Sequence, residues 1–241
     1  MNKVIQGDCL EEMKTIEDGS IDMILADLPY GTTACKWDTI IPFDPLWEQY
    51  KRVIKDNGAI VLTAQPPFDK VLGCSNLKML RYEWIWEKEQ GTGGMNANKM
   101  PLKKTENILV FYKKLPTYNP QFIEGKPYKI KRDRPRKESA YGKTGTHDGF
   151  ISENTGKRYP VNMIKINKEY GLHPTQKPVA LFEYLIKTYT NEGDTVLDNV
   201  AGSGTTGVAC KNLNRDFILI EQDEKYCEII KERIGDIEIM K

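Results

Sequence analysis

The heptapeptide Ala201-Gly202-Ser203-Gly204-Thr205-Thr206-Gly207 constrains the fold of this chain more than any other stretch. It contains a GxGxxG pattern, follows the strand-like Thr195-Val196-Leu197-Asp198 and opens a helical stretch, Ser203–Leu213. The next strand-like run, Phe217–Glu221, ends in an acid 23 residues after Asp198. Strand, turn, helix, strand and terminal acid in that order form a nucleotide-binding unit. The glycines let the backbone approach a ligand, the helix N–H groups face negative charge, and the acid accepts from ribose hydroxyls. Only 20 residues follow Glu221, too few to complete a sheet. The missing strands must come from the N-terminal half, so the chain reads as a nucleotide-binding fold whose sequence is circularly rearranged.

The N-terminal half has strands to supply. Val4-Ile5-Gln6 is a short strand, and Asp8 with Glu11 three residues on reads as a helix start with a capping box. Ile21–Ala26 is a buried strand. Asp44-Pro45 opens a helix through Leu46, Trp47, Tyr50, Val53 and Ile54, which Gly58 stops. Ala59–Thr63, Tyr82–Trp86 and Asn107–Tyr112 are further strands. Beyond Tyr170, Pro178 suits the first position of a helix through Leu181, Phe182, Leu185, Ile186 and Tyr189. Asp223 caps a last helix through Tyr226, Ile229, Ile230 and Ile234. This alternation predicts an α/β fold: a doubly wound, mostly parallel, Rossmann-like sheet with helices on both faces. Trp47, Met79, Phe182 and Tyr184 read as packing residues.

Asp27-Leu28-Pro29-Tyr30 stands where the Ile21–Ala26 strand ends. It sets an acceptor carboxylate, a stiffened backbone and an aromatic face at one strand mouth, which suits gripping a planar, amino-bearing base. A proline there also reads as a plain strand terminator, since it has no N–H to continue a ladder. Trp37, in Lys36-Trp37-Asp38, reads better as core than as a lid over that base.

From Leu115 to Pro160 the periodicity breaks down, which marks either a solvated loop or a functional insert. Between Gly125 and Lys143, the basic residues Lys126, Lys129, Lys131, Arg132, Arg134, Arg136, Lys137 and Lys143 stand against only Asp133 and Glu138. The net charge of the whole chain is +1, so the remainder is slightly acidic. Tyr118, Tyr128, Tyr141 and Tyr159 interleave with the cations, a mixture that suits phosphate contacts and base stacking. This is the candidate nucleic-acid-binding region.

A chain of 241 residues buries one sizeable core with room for an inserted subdomain. The start, Met1–Asp8, has no long apolar stretch and is not a signal peptide, and no apolar run spans a bilayer. The five scattered cysteines form no CxxC and read as reduced cytosolic thiols. With only His147 and His173 and no Cys/His cluster, no metal site is expected.

In their order these residues resemble the β-group amino-methyltransferases of DNA, which use S-adenosylmethionine. In that family a catalytic (D/N/S)PP(Y/F/W) motif comes first, a target-recognition region follows, and the cofactor glycine motif comes last. Asp27–Tyr30 matches the first, Gly125–Lys143 falls in the second, and Asp198–Thr206 with Glu221 matches the third. His173-Pro174-Thr175-Gln176-Lys177-Pro178 is similar to the motif upstream of the cofactor strand, and Trp84–Lys88 and Glu106–Tyr112 to later sheet strands. The resemblance spans nearly the whole chain. It implies residues 1–114 as the catalytic half, 115–160 as the inserted basic target-recognition region, and 161–241 as the cofactor-binding half.

The resemblance also implies the chemistry. A methyl group passes from S-adenosylmethionine to the N6 amino group of adenine in double-stranded DNA. The base is flipped out of the duplex, at a cost on the order of a few kcal/mol. Asp27 and the Leu28 carbonyl polarise the amino group, Pro29 stiffens the backbone and Tyr30 stacks on the base. The turn residues Gly202, Ser203, Gly204, Thr205 and Thr206 hold the methionine end, and Asp198 and Val200 complete that set. Glu221 takes the ribose hydroxyls. Asp8 contacts the cofactor's adenine amino group, besides its reading as a cap, and Lys177 lies near the methionine carboxylate. Leu28 replaces the family's first proline but keeps its carbonyl. Asn199 and Val200 replace a Pro-Phe whose ring packs near the adenine. The protein is expected in the cytoplasm on DNA, with a homodimer and a cognate restriction enzyme as candidate companions.

Rival readings are a cytosine-N4 or RNA amino-methyltransferase, a catalytically silent nucleic-acid-binding subunit and a NAD-dependent oxidoreductase. Cytosine-N4 enzymes typically carry Ser at the Asp27 position, so Asp favours adenine. Glutamine methylation of proteins uses an NPPY-type motif in the opposite motif order. The intact Asp27, Tyr30 and glycine turn argue against a silent subunit. A NAD enzyme would leave Asp27–Tyr30 and the basic insert without a role.

Overall fold

The computed structural model describes residues 2–33, 35, 38–132, 150–169, 176–235 and 237–240. Its elements are β1 (Lys3–Gln6), α1 (Cys9–Glu12), β2 (Ile21–Ala26), α2 (Phe43–Val53), β3 (Ile54–Ala64), α3 (Phe68–Ser75), β4 (Leu80–Thr92) and β5 (Lys103–Phe111). There follow β6 (Ile123–Glu124), β7 (Tyr128–Arg132), β8 (Phe150–Asn154), β9 (Lys157–Arg158) and β10 (Met163–Lys165). The chain closes with α4 (Val179–Tyr189), β11 (Thr195–Asp198), α5 (Thr205–Asn212), β12 (Asp216–Glu221), α6 (Glu224–Ile234) and β13 (Ile239–Met240). Two compact units separate: Met1–Asn119 with Asn162–Lys241, and Pro120–Val161.

In the first unit, nine described strands form one sheet in the order β10-β4-β5-β3-β2-β11-β12-β1-β13. Every neighbouring pair is parallel except those of β5, which runs against β3 and β4. β11, from the C-terminal half, lies against β2, with Val196 opposite Met23 and Leu197 opposite Ile24. The N-terminal strands therefore complete the sheet that the late glycine turn leaves unfinished. Strands covered on both faces read as near-continuous apolar runs. Ile24, Ile60, Leu197 and Ile220 point to the core under α1, α2 and α3. Met23, Val61, Val196 and Leu219 point to the core under α4, α5 and α6.

Several element ends differ from the expectation. α2 starts at Phe43 rather than Asp44 and stops at Val53, well before Gly58, because Ile54 already pairs with Ile21 in β3. Pro178 is the residue before α4 rather than its first member, and α5 starts at Thr205 after Gly204. Asp8 does cap α1, accepting from the N–H groups of Leu10 and Glu11, but the capping box does not close. The Glu11 carboxylate instead meets Lys14 at 2.7 Å.

The second unit contains two antiparallel ladders, β6 with β9 and β7 with β8. Phe122 packs on Tyr159 with centroids 5.0 Å apart, and the Arg158 guanidinium sits 4.8 Å from the centre of the Tyr128 ring. Unlike β1 and β11, the short strands β6, β7 and β9 carry no apolar run that would mark them in the sequence. Residues 115–119 belong to the first unit. There Asn119 N–H donates to the Thr188 carbonyl at 2.7 Å and Tyr118 packs on Tyr189.

Candidate active site

Four parallel strands, β2, β11, β12 and β1, end on the same side of the sheet and deliver Asp27, Asp198, Glu221 and Asp8 there. In open α/β sheets, ligands bind at the carboxyl ends of the strands. A cavity of about 1070 Å³ lies there, lined by Asp8, Asp27, Tyr30, Lys177, Asp198 and Glu221 among others.

Asp27 is held from both sides. Its Oδ1 accepts from the Tyr30 hydroxyl at 2.6 Å and from the Thr63 hydroxyl, and its Oδ2 takes the Lys177 ammonium at 2.7 Å. The Tyr30 ring stacks on Phe68, with centroids 5.1 Å apart and planes 25° apart. Burial, reinforced by the Asp27 charge, keeps the Tyr30 phenol protonated well above its ordinary range, so it acts as a donor. Leu28 is 3 % exposed and packed in the core.

The family resemblance puts Lys177 near a cofactor carboxylate; in the structure its ammonium sits on Asp27 and 3.3 Å from Glu106. A fully buried cation needs an anion beside it. Burial opposes its charge, but the anions beside it, Asp27 first and Glu106 with it, outweigh that and hold it charged well above the ordinary lysine range. Glu106 is also buried and pairs with Lys88. Burial would raise its carboxyl, but Lys177 and Lys88 outweigh burial and draw it below the usual range.

The glycine turn is organised by two carboxylates. Glu221 accepts from the N–H of Gly202 at 2.7 Å and from the N–H of Asp223 at 2.8 Å. Asp198 accepts from Val200 N–H at 3.1 Å and from the Thr206 hydroxyl. Burial pushes the Asp198 carboxyl up to about 7, and it raises Glu221 too against the hydrogen bonds that oppose it. A buried carboxylate, Asp198, beside a half-buried one, Glu221, at one end of a cavity suits a ligand that brings positive charge. Gly204 has φ +79°, and a Cβ there would lie 2.8 Å from Ile230 Cγ1. A Cβ on Gly207 would overlap Ile234 Cδ1, so that glycine lets α5 pack closely on α6. The Ser203 carbonyl accepts from Arg233 at 2.6 Å, and the Thr205 hydroxyl donates to the Lys177 carbonyl at 3.4 Å. Asn199 Oδ1 accepts from the buried Tyr50 hydroxyl at 2.5 Å, so this residue ties the turn to α2.

Thr63, Glu106 and Lys88 also join the site. Lys88 and Glu106 lie at the ends of two strand runs that the family resemblance includes, but neither they nor Thr63 are marked as site residues by any local pattern. Asp38 is a further one: its carboxylate accepts from the N–H groups of Gly31, Thr32 and Thr33 at 2.8, 2.9 and 2.6 Å and fastens the loop after Tyr30. Of the basic residues in the insert, Lys126, Lys129 and Lys131 lie in the second unit, and Lys129 meets Glu153 across the β7–β8 ladder at 3.2 Å. Arg132 is described by its backbone in β7. Arg134, Arg136, Lys137, Lys143, Tyr141, His173, Lys36 and Trp37 lie outside the described residues. Among the described residues no three potential His, Cys, Asp or Glu ligands gather as a metal site, and no helix is long and apolar enough to cross a membrane.

Residues 21–232 match the family model described as DNA methylase. The chain is 31% identical over 251 residues to the Type II methyltransferase M.HpaI of Haemophilus parainfluenzae, covering 96% of this chain and 74% of that one. It is 31% identical over 253 residues to the DNA adenine methyltransferase YhdJ of Escherichia coli K12, covering 94% and 80%. The fold superposes on the crystal structure of the M1.HpyAVI–SAM complex with a TM-score of 0.66 at 25% identity, covering 98% of this chain and all of that one.

Proposed function

The chain belongs to the family of DNA methylases, and from that premise we propose that it transfers the methyl group of S-adenosylmethionine to the N6 amino group of adenine in DNA. One observation carries this reading: Asp27 and Asp198, at the ends of neighbouring strands, line one cavity. A clamp for an amino group and a turn for a nucleotide thus open into the same space. The likeness to a DNA adenine methyltransferase over most of the chain supports adenine as the target.

The adenine amino nitrogen is a weak nucleophile because its lone pair is delocalised into the ring. The Asp27 carboxylate and the Leu28 carbonyl accept its two N–H bonds, which favours a pyramidal nitrogen with a freer lone pair. Tyr30 stacks on the base and holds it in line. S-adenosylmethionine, when bound, supplies an electrophilic methyl group on a sulfonium. The residues fit that group: Asp198 and Glu221 suit its positive charge, and Glu221 has lone pairs left for ribose hydroxyls. The turn Gly202-Ser203-Gly204-Thr205-Thr206 and Val200 hold the methionine end at the start of α5. Asp8 accepts from the cofactor's adenine amino group. Positioning is the main contribution of the protein. Lys126, Lys129, Lys131 and Arg132, with Arg134, Arg136 and Lys137, neutralise DNA phosphates. This activity places the protein in the cytoplasm with the genome. A homodimer would be read by sedimentation, and a cognate restriction enzyme by whether its sites become protected in a host expressing this chain.

The direct test is expression in a host lacking DNA methylation, followed by mapping of modified bases. N6-methyladenine at one recurrent sequence is expected; N4-methylcytosine, or no modified base from a folded protein, would overturn the reading. Asp27→Ala should abolish methylation while cofactor binding, followed by calorimetry, survives.

A further inference from the structure

We propose that Lys177 is a positioning residue for Asp27, a counter-ion that aims the carboxylate and then yields Oδ2 to the target amino group by moving onto Glu106. The proposal rests on the reading of Asp27 as the amino-group acceptor.

The two oxygens of Asp27 are held differently. Oδ1 is fixed by two neutral hydroxyls, Tyr30 from the same loop and Thr63 from β3. Oδ2 is held by one charged donor, the Lys177 ammonium at 2.7 Å. An amino group that approaches Asp27 must therefore displace Lys177 or share its oxygen. A buried ammonium cannot move into an apolar space, because it would leave its anionic partners. Here it need not. Glu106 Oε2 is buried and already pairs with the same ammonium at the longer distance of 3.3 Å, with no other partner among the described residues. It is a second anion one short step from the first.

The remaining charges keep an anion beside the ammonium at both ends of that step. Lys88 pairs with the other oxygen of Glu106, so Asp27, Lys177, Glu106 and Lys88 alternate in sign along one wall of the cavity. With two cations and two anions, shifting one ammonium between its two carboxylates leaves the sum unchanged. Lys177 is also fixed at its backbone, whose carbonyl accepts from the Thr205 hydroxyl at the start of α5. The same residue thus joins the cofactor turn to the tetrapeptide. A simple buried ion pair would hold Asp27 closed; the second acceptor on Glu106 makes it openable.

Lys177→Met and Glu106→Gln test this. In Lys177→Met, kcat should fall about 100-fold, the loss expected of a misplaced reacting group, with the Kd of S-adenosylmethionine within about twofold of wild type. In Lys177→Ala, which unlike methionine vacates the side chain's space, added methylammonium should restore kcat at least about tenfold. Glu106→Gln should lower kcat about tenfold, again with the cofactor Kd unchanged. If Lys177→Met does not fold by thermal melting, the charge-balanced pair Lys177→Met with Glu106→Gln replaces it. A folded variant with kcat within about threefold of wild type, or a loss confined to cofactor affinity, would overturn the proposal. Failure of the underlying reading looks different: wild type would make no N6-methyladenine, or Asp27→Ala would retain turnover.

Discussion

Asp198→Asn should make the ligand-free protein more stable at neutral pH while weakening its response to the cofactor. Asp198 is 3 % exposed, and burial pushes its carboxyl up to about 7. In the unfolded chain an aspartate titrates near about 4. Folding therefore favours the protonated form. Its contribution is fully present below about pH 4, declines as pH rises, and is lost once pH passes about 7. Three pH units at about 1.36 kcal/mol each amount to about 4 kcal/mol. At about 2–4 °C of Tm per kcal/mol for a domain of this size, that is on the order of 10 °C.

Asparagine keeps the shape and an acceptor for Val200 N–H but has no carboxyl to ionise. The readout is the difference in Tm between variant and wild type, measured by scanning calorimetry at matched pH. Comparing the two proteins cancels the other carboxylates. The difference should be small near pH 4 and should widen in favour of the variant to about 10 °C by about pH 8. S-adenosylmethionine should then raise the Tm of wild type more than that of the variant, since a cationic ligand favours ionised Asp198. Parallel Tm–pH curves for the two proteins would refute the claim that burial raises this carboxyl.

Two further outcomes follow from single hydrogen bonds and charges. Tyr50→Phe strands Asn199 Oδ1, whose Nδ2 already has no hydrogen-bond partner among the described residues. It should cost about 1–3 kcal/mol, read as a lower urea midpoint with an unchanged slope. Replacing Lys126, Lys129 and Lys131 together by Gln should weaken DNA binding across all sequences. It should also flatten the salt dependence by about 0.9 in log–log slope for each phosphate no longer neutralised.

The sequence by itself determined what is local. The turn at Gly202 and Gly204, both at positive φ, needs glycine, and the apolar runs of β2, β3 and β12 need burial on both faces. Both requirements are written in consecutive residues. The order of tetrapeptide, basic insert and glycine turn also required the N-terminal strands to finish the sheet, and β2 does lie against β11. The element ends were less legible, because Ile54 leaves α2 to pair with Ile21, a choice made by a distant strand. Only the tertiary structure decided which side chains support the site from behind. Lys177 reaches Asp27 across 150 residues, Tyr50 reaches Asn199 across 149, and Thr63 meets Asp27 through neighbouring strands. Such pairings depend on strand order, register and the geometry of packed side chains, and no local pattern encodes them. The resemblance sets Lys177 near the methionine carboxylate; the tertiary structure adds that its ammonium lies on the carboxylate of the tetrapeptide and beside Glu106, the anions that its burial demands.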